Sequence, residues 1–221
     1  LEQLRFDIDQ DIDDTVDELN TLIDSLNGVN LALTEAVEQS SGDVNALLNQ
    51  RDALLEDISA IVDVNVIYAP TNTVSVFTPK ATLVGEGQTF EVRYVPATGV
   101  SSIVSDTAFN AITIMPVDAN GNDDGVEVTI VSASDAATPV DDVTSGKLQG
   151  LLNLRDTEIP NLLSQLDLFA QTLADSFNAI HNDGAGYPAT ESLTGTTLVD
   201  PTDIRSWSGN VRIALVNPDG T

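Results

Sequence analysis

An apolar stripe that returns every three or four residues at the start of the chain constrains its fold most. Leu4, Ile8, Ile12, Val16, Leu19, Leu22, Ile23 and Leu26 share one helical face, and Leu33, Ala36 and Val37 continue it. A helix over residues 1–39 would be roughly 55 Å long at the standard rise. Helices of that length bury a seam against neighbours in rods or coiled-coil-like packings. The spacing also predicts a kink or break at Gly28-Val29-Asn30.

The same stretch imitates a calcium loop. Asp7, Asp9, Asp11 and Glu18 occupy positions 1, 3, 5 and 12 of an EF-hand frame. The sixth position needs glycine for its sharp turn, and here it is Ile12, inside the apolar stripe. The acid is therefore read as the wet side of a helix, with Asp7, Asp11 and Asp14 on the solvated face. No metal site is assigned.

A turn at Ser40-Ser-Gly-Asp43, with Asp43 as N-cap, leads into a second helix. Leu47, Leu48, Leu54, Leu55, Ile58, Ile61 and Val62 form its buried side, and the short connection makes it antiparallel to the first. From Asp63 the period becomes two. Val64–Tyr68 and Val74–Thr78 alternate around Ala69-Pro-Thr-Asn72. Thr82–Val84 and Phe90–Val95 follow across Gly85-Glu-Gly87, then a pair at Ile112–Ile114 and Val126–Val131. The Asp118–Gly125 connection reads as a hairpin turn of Asn, Asp and Gly.

At Ser145-Gly146 the helical period returns, through Leu148, Leu151, Leu152, Ile159, Leu162, Leu163, Leu166, Phe169, Ala170, Leu173, Phe177 and Ile180. Pro160 lacks a donor and should bend this helix or split it in two. The helix should end by Asn182-Asp-Gly184. Beyond it one strand, Val211–Val216, would open a further β domain, with Trp207 packed at the junction.

The fold class expected is α+β: a long antiparallel helical bundle with an inserted antiparallel β subdomain. Residues 1–62 and 145–184 form the helical core, 63–144 the β insertion, and 185–221 a linker and the first strand of another domain. Leu1 stands inside an apolar periodicity and the chain closes on a turn at Asn217–Thr221, so both ends are read as internal to a longer protein.

Composition narrows the chemistry. The chain has 35 acidic and 8 basic residues, a formal charge of -27, which repels nucleic acid and anionic membranes. It has no Cys and one His, which removes thiolate chemistry and ordinary zinc sites. No apolar run reaches the length of a membrane span. His181 ends a helix, where a cationic imidazole suits the dipole. No phosphate loop or nucleophile–base constellation is present, so no catalytic residue or cofactor is assigned and the chain is not read as an enzyme.

One internal echo is specific. Leu47-Leu-Asn-Gln-Arg-Asp52 recurs as Leu151-Leu-Asn-Leu-Arg-Asp156, which places two of the eight basic residues, Arg51 and Arg155, among apolar helix positions. Each planar guanidinium could bridge carboxylates or helix-end carbonyls between bundle helices; the alternative is two solvated arginines.

The segments Asn45–Ser59, Val64–Val66, Val74–Phe77, Ser145–Asp156 and Leu166–Asn182 resemble the flagellar hook-associated protein 1 family of hook–filament junction proteins. The resemblance covers roughly residues 1–80 and 145–185. It implies a structural protein, exported without a cleaved signal, that joins hook to filament. Its partners would be the hook protein, a second hook-associated protein and further copies of itself. The family's terminal helices are absent, so the isolated chain is expected to be a monomer. The residues that mark the family are Asn49, Gln50, Arg51, Asp52, Leu154, Arg155, Asp156, Phe177 and Asn178, each with a structural role. Other readings are a different axial flagellar protein, or an extracellular adhesin, which would need an aromatic-lined pocket. Aromatics make up 5% of the chain and are scattered.

Overall fold

The computed structural model describes residues 1–39, 44–85, 88–99, 109–118, 121–133 and 143–183. The Ser40–Asp43 turn, the strand Val211–Val216, Trp207 and the linker 185–221 lie outside them. The elements are α1 (Glu2–Gln39), α2 (Val44–Ile61), β1 (Asn65–Tyr68), β2 (Val74–Phe77), β3 (Thr82–Val84), β4 (Thr89–Arg93), β5 (Ile112–Val117), β6 (Val128–Val131), α3 (Gly146–Asn153) and α4 (Ile159–Asp183), with a π-helical segment Leu154–Glu158 between the last two. This is an α+β fold. The chain forms two units, Leu1–Gln171 and Thr172–Thr221, and the end of α4 belongs to the second.

Helix α1 is the hub of the first unit. It packs on α2, α3, the π segment, β3 and β4. Ile12, Leu19, Ile23, Leu26 and Leu33 on its stripe are fully buried, each stabilising the fold by about 1.5–3 kcal/mol relative to exposure. Leu4 and Val37, read as part of that stripe, are each 46% exposed, because the neighbouring elements cover only the middle of the helix.

The expected break at Gly28-Val29-Asn30 does not occur; α1 runs unbroken to Gln39. Val29 and Leu33 are buried on either side, and the Asn30 side chain is bonded to β2. Tertiary contacts thus outweigh the roughly 1 kcal/mol that a mid-helix glycine costs relative to alanine.

The strands form two antiparallel sheets, β1-β2-β3 and β4-β5-β6. β1 and β2 pair in register from Asn65↔Phe77 to Tyr68↔Val74, across a turn in which Asn72 takes a φ of 65°. β3 and β4, adjacent in sequence, fall in different sheets. Among the described residues a Gly85↔Gln88 bridge links their ends, and β4 pairs with β5, from Thr89↔Val117 to Arg93↔Thr113. The Asp118–Gly125 connection turns as expected, with the Asp118 carboxylate accepting from the Asn122 amide. Strand β6 starts at Val128 rather than Val126, which is 79% exposed.

The β region leaves and returns at one place, where the Thr144 hydroxyl donates to Asp63 at 2.6 Å. Gly146 then enters α3 with φ 91°, and a Cβ there would overlap the Ile61 carbonyl at the end of α2. Only glycine satisfies both the conformation and the approach.

Beyond Ile159 the helical stripe lacks the burial its period implies. Leu162, Leu166 and Phe169 are 51, 54 and 64% exposed. The reason is geometric. α3 runs antiparallel to α1, with Lys147 meeting Glu18 and Arg155 meeting Asp9, so α4 passes the first residues of α1 near its own start. Leu173, Phe177 and Ile180, in the second unit, are likewise exposed.

Candidate functional site: a buried arginine network

The site begins with a missing hydrogen bond. Pro160 has no N–H, so a helix through it leaves a carbonyl one turn back without its donor. The chain answers with the π segment, in which the Ile159 N–H reaches back to the Leu154 carbonyl. The Arg155 carbonyl then has neither neighbour, since Ile159 is used and Pro160 cannot donate. Arg5, from the first turns of α1, donates its Nε to that carbonyl at 3.0 Å. The expected split at Pro160 is thus repaired by a residue 150 positions away.

Around this contact four charges are buried together. Arg155 is 1% exposed, Arg5 1%, Asp9 0% and Asp156 3%. Arg155 holds its sequence neighbour Asp156 through two parallel bonds of 2.8 Å, from Nε and Nη2. Its Nη1 donates to Asp9 at 2.8 Å and to the Tyr94 hydroxyl at 2.7 Å. Tyr94, accepting from Arg155, donates its own proton to the same Asp9 oxygen. The other Asp9 oxygen accepts from the Ala97 amide at 2.7 Å. Both guanidinium carbons lie over the buried Phe109 ring, Arg155 at 3.9 Å and Arg5 at 4.7 Å from its centroid. Two arginines and two aspartates balance, so the fold buries no net charge here.

The electrostatics follow from this arrangement. Burial would lower the Arg155 pKa, but the bond to Asp156 and the charges of Asp156 and Asp9 outweigh it and raise the value. Burial lowers the Arg5 pKa, with Asp156 opposing and Arg155 reinforcing. Burial chiefly raises that of Tyr94; the Arg155 charge opposes it and the bond to Asp9 adds to it. The phenol therefore stays protonated, as its donation to Asp9 requires.

Asp9 stands at the third position of the calcium frame. It points into the fold, whereas Asp7 and Asp11 are exposed, so these carboxylates do not converge. Among the described residues no three or more of His, Cys, Asp and Glu converge as a metal site would need.

Arg51, the counterpart of Arg155 in the echo, is also buried, at 8% exposed. Among the described residues it bridges no two bundle helices. It donates to its neighbour Asp52 at 2.6 and 2.9 Å and to the Asn72 carbonyl at 2.7 Å, with its guanidinium over Tyr68. It therefore pins the β1–β2 turn to α2. Asn49, Gln50, Asp52, Leu154, Phe177 and Asn178 face solvent, so of the nine marking residues only Arg51, Arg155 and Asp156 lie inside.

The sequence reading overlooked a second device. The Asn30 amide donates to the Val74 carbonyl at 2.8 Å and accepts from its N–H at 2.9 Å. Asn20 grips Val92 in the same way, at 2.8 Å in both directions. Asp9 and Gln10 divide the task at Ala97, one taking the N–H and the other the carbonyl. Three times along α1, polar side chains bond both main-chain groups of one residue. The available signal was the position of Asn20 and Asn30, each one residue past a buried apolar position.

A long helix that collects two sheets and two helices, with its buried charges Arg5 and Asp9 bonded to other buried groups and to main chain, defines a structural helical domain. The chain belongs to the family described as flagellar hook-associated protein FlgK helical domain, whose model matches residues 1–197. It is 23% identical over 194 residues to flagellar hook-associated protein 1 of Bacillus subtilis (strain 168), covering 83% of this chain and 36% of that protein. The flagellar hook junction protein FlgK from Burkholderia pseudomallei aligns structurally with a TM-score of 0.48 and 22% identity, over 70% of this chain and 24% of that one. The chain thus spans about a third of the length of the curated relative.

Proposed function

We propose that this chain is the helical domain of a structural protein at the junction between hook and filament of a bacterial flagellum. The family match over residues 1–197 carries this reading. In it the protein is exported through the flagellar type III apparatus, forms a short layer on the distal end of the hook, and contacts hook protein, a second hook-associated protein and neighbouring copies. Its task is mechanical adaptation rather than catalysis. A helix cross-bonded to two strands beside it and to the segment after β4 is suited to transmit load without shearing. The isolated chain is expected to sediment as a monomer. Immunogold labelling of flagellated cells with antibody against this chain tests the reading: one narrow band between hook and filament is expected. Label along the whole filament would assign another axial position, and label confined to the cell body would refute a flagellar role.

A further inference from the structure

We infer, on the mechanical reading above, that the buried cluster around Arg155 is a force-bearing latch: it is the contact that must break first when α4 is drawn away from the start of α1. α1 runs antiparallel to α3, and the seam between them stays buried through Leu148, Leu152 and, at the root of α4, Ile159. Beyond that level the seam opens. Leu162 and Leu166 on α4 are exposed, and so are Leu1 and Leu4 at the start of α1. The cluster therefore closes the end of the packed seam. A force that spreads Leu1 from the exposed part of α4 peels the seam from this end. It falls on a few bonds at a time and reaches the cluster before the apolar contacts of Leu152 and Leu148 behind it.

The bonds suit that task better than apolar burial would. An apolar plug of equal volume would give similar equilibrium stability, because desolvation takes back much of what a buried ion pair gains. Hydrogen bonds differ in range: they weaken steeply once drawn roughly 1 Å beyond contact, so they resist the first small displacement most. Two of them cross directly from α1 to the root of α4, Arg5 Nε to the Arg155 carbonyl and Arg155 Nη1 to Asp9. Asp9 is itself held from behind. It accepts from the Ala97 N–H and from Tyr94, which directly follows β4, and β4 is paired along its length with β5. The buried Phe109 ring lies under both guanidinium groups. A pull on α4 is thus passed to the second sheet as well as to α1.

Optical tweezers test the latch on the whole chain. The chain has no Cys, so Leu1→Cys and Gln171→Cys fix both handles uniquely. The dwell time before the first extension step is measured at constant load. Arg5→Met keeps the length of the side chain and removes its donors. It should shorten the dwell about tenfold, as the loss of one hydrogen bond to a charged group at the barrier requires. Leu26→Ala lies roughly 25 Å along α1 from Asp9. It should lower the melting midpoint yet leave the dwell within about twofold of native, because its contacts are intact when the latch breaks. Tyr94→Phe keeps every charge and removes only the phenol's bonds to Asp9 and Arg155. It should shorten the dwell by a smaller factor, and it supplies the reading if Arg5→Met does not fold. An unchanged dwell in either variant, or a dwell in Leu26→Ala shortened as much as theirs, overturns the latch. Force on the purified chain decides the latch and immunogold labelling decides the flagellar assignment, so either can fail alone.

Discussion

Arg155 shows how much one side chain can hold. Four of its hydrogen bonds reach Asp156, Asp9 and Tyr94; the two carboxylates are buried and the phenol is half-buried. Removing one member of a buried ion cluster leaves its partners unpaired, at a cost of about 3–5 kcal/mol. Arg155→Ala should therefore lower the melting midpoint by on the order of ten degrees. Arg155→Lys should rescue little, because a point charge cannot hold Asp156 with two parallel bonds. A fall of under two degrees for Arg155→Ala would mean that the cluster is not stabilising. Tyr94 gives a pH signature. Its folded pKa lies above its unfolded value, so above about pH 10 the unfolded chain releases a proton that the folded chain keeps, and stability falls. Tyr94→Phe cannot titrate. The wild-type advantage over Tyr94→Phe, measured by urea unfolding, should be constant from pH 7 to 9 and narrow above 10. A gap that stays constant through pH 11 would show that the phenol is not held neutral.

Among the elements, the proline break and the first turns of α1 form one device, because the carbonyl orphaned at Arg155 is satisfied by Arg5. A double-mutant cycle tests it. In Pro160→Ala the helix regains a donor at position 160 and can return to α geometry, so Arg5 loses its task at that carbonyl. Arg5→Ala should thus cost at least about 1 kcal/mol less in the Pro160→Ala background than in the native chain. Additive effects would separate the two. The same elements show what periodicity can and cannot reveal. The α1 stripe, the β1–β2 hairpin and the Pro160 interruption could be read from spacing and backbone chemistry alone. Arg5 and Asp9 could not, because a charged residue on a buried face looks like an interruption of the stripe until its partners, Arg155 and Tyr94, are brought from 150 and 85 residues away. Strand partners were out of reach for a related reason. The turn after β3 gives no sign that Asn20 waits on α1 to close the outer edge of β4 at Val92.

The molecule as a whole works against its own charge. Most of the carboxylates among the described residues are solvated, but Asp13 is partly buried beside Asp9, Asp14 and Asp17 on α1, and its pKa is raised by burial first and by Asp17, Asp14 and Asp9 after it. For an acid whose folded pKa lies above its unfolded one, folding favours the protonated form. Its cost is therefore absent at low pH and grows as pH rises from about 4 through the folded value. Asp13→Asn should melt higher than the native chain at pH 7, and the difference should vanish below about pH 4. Salt tests the same repulsion from outside, since the screening length falls from about 10 Å at 0.1 M to about 3 Å at 1 M. Between those concentrations the native melting midpoint should rise, and that of Asp13→Asn should rise less, because part of the repulsion has already gone. The Arg155 cluster, being dry and neutral overall, should contribute nothing to this increment, so Arg155→Lys should gain as much from salt as the native chain. A midpoint that falls with salt would mean that surface ion pairs such as Lys147–Glu18 and Arg93–Asp123 outweigh the self-repulsion of the 35 acidic residues.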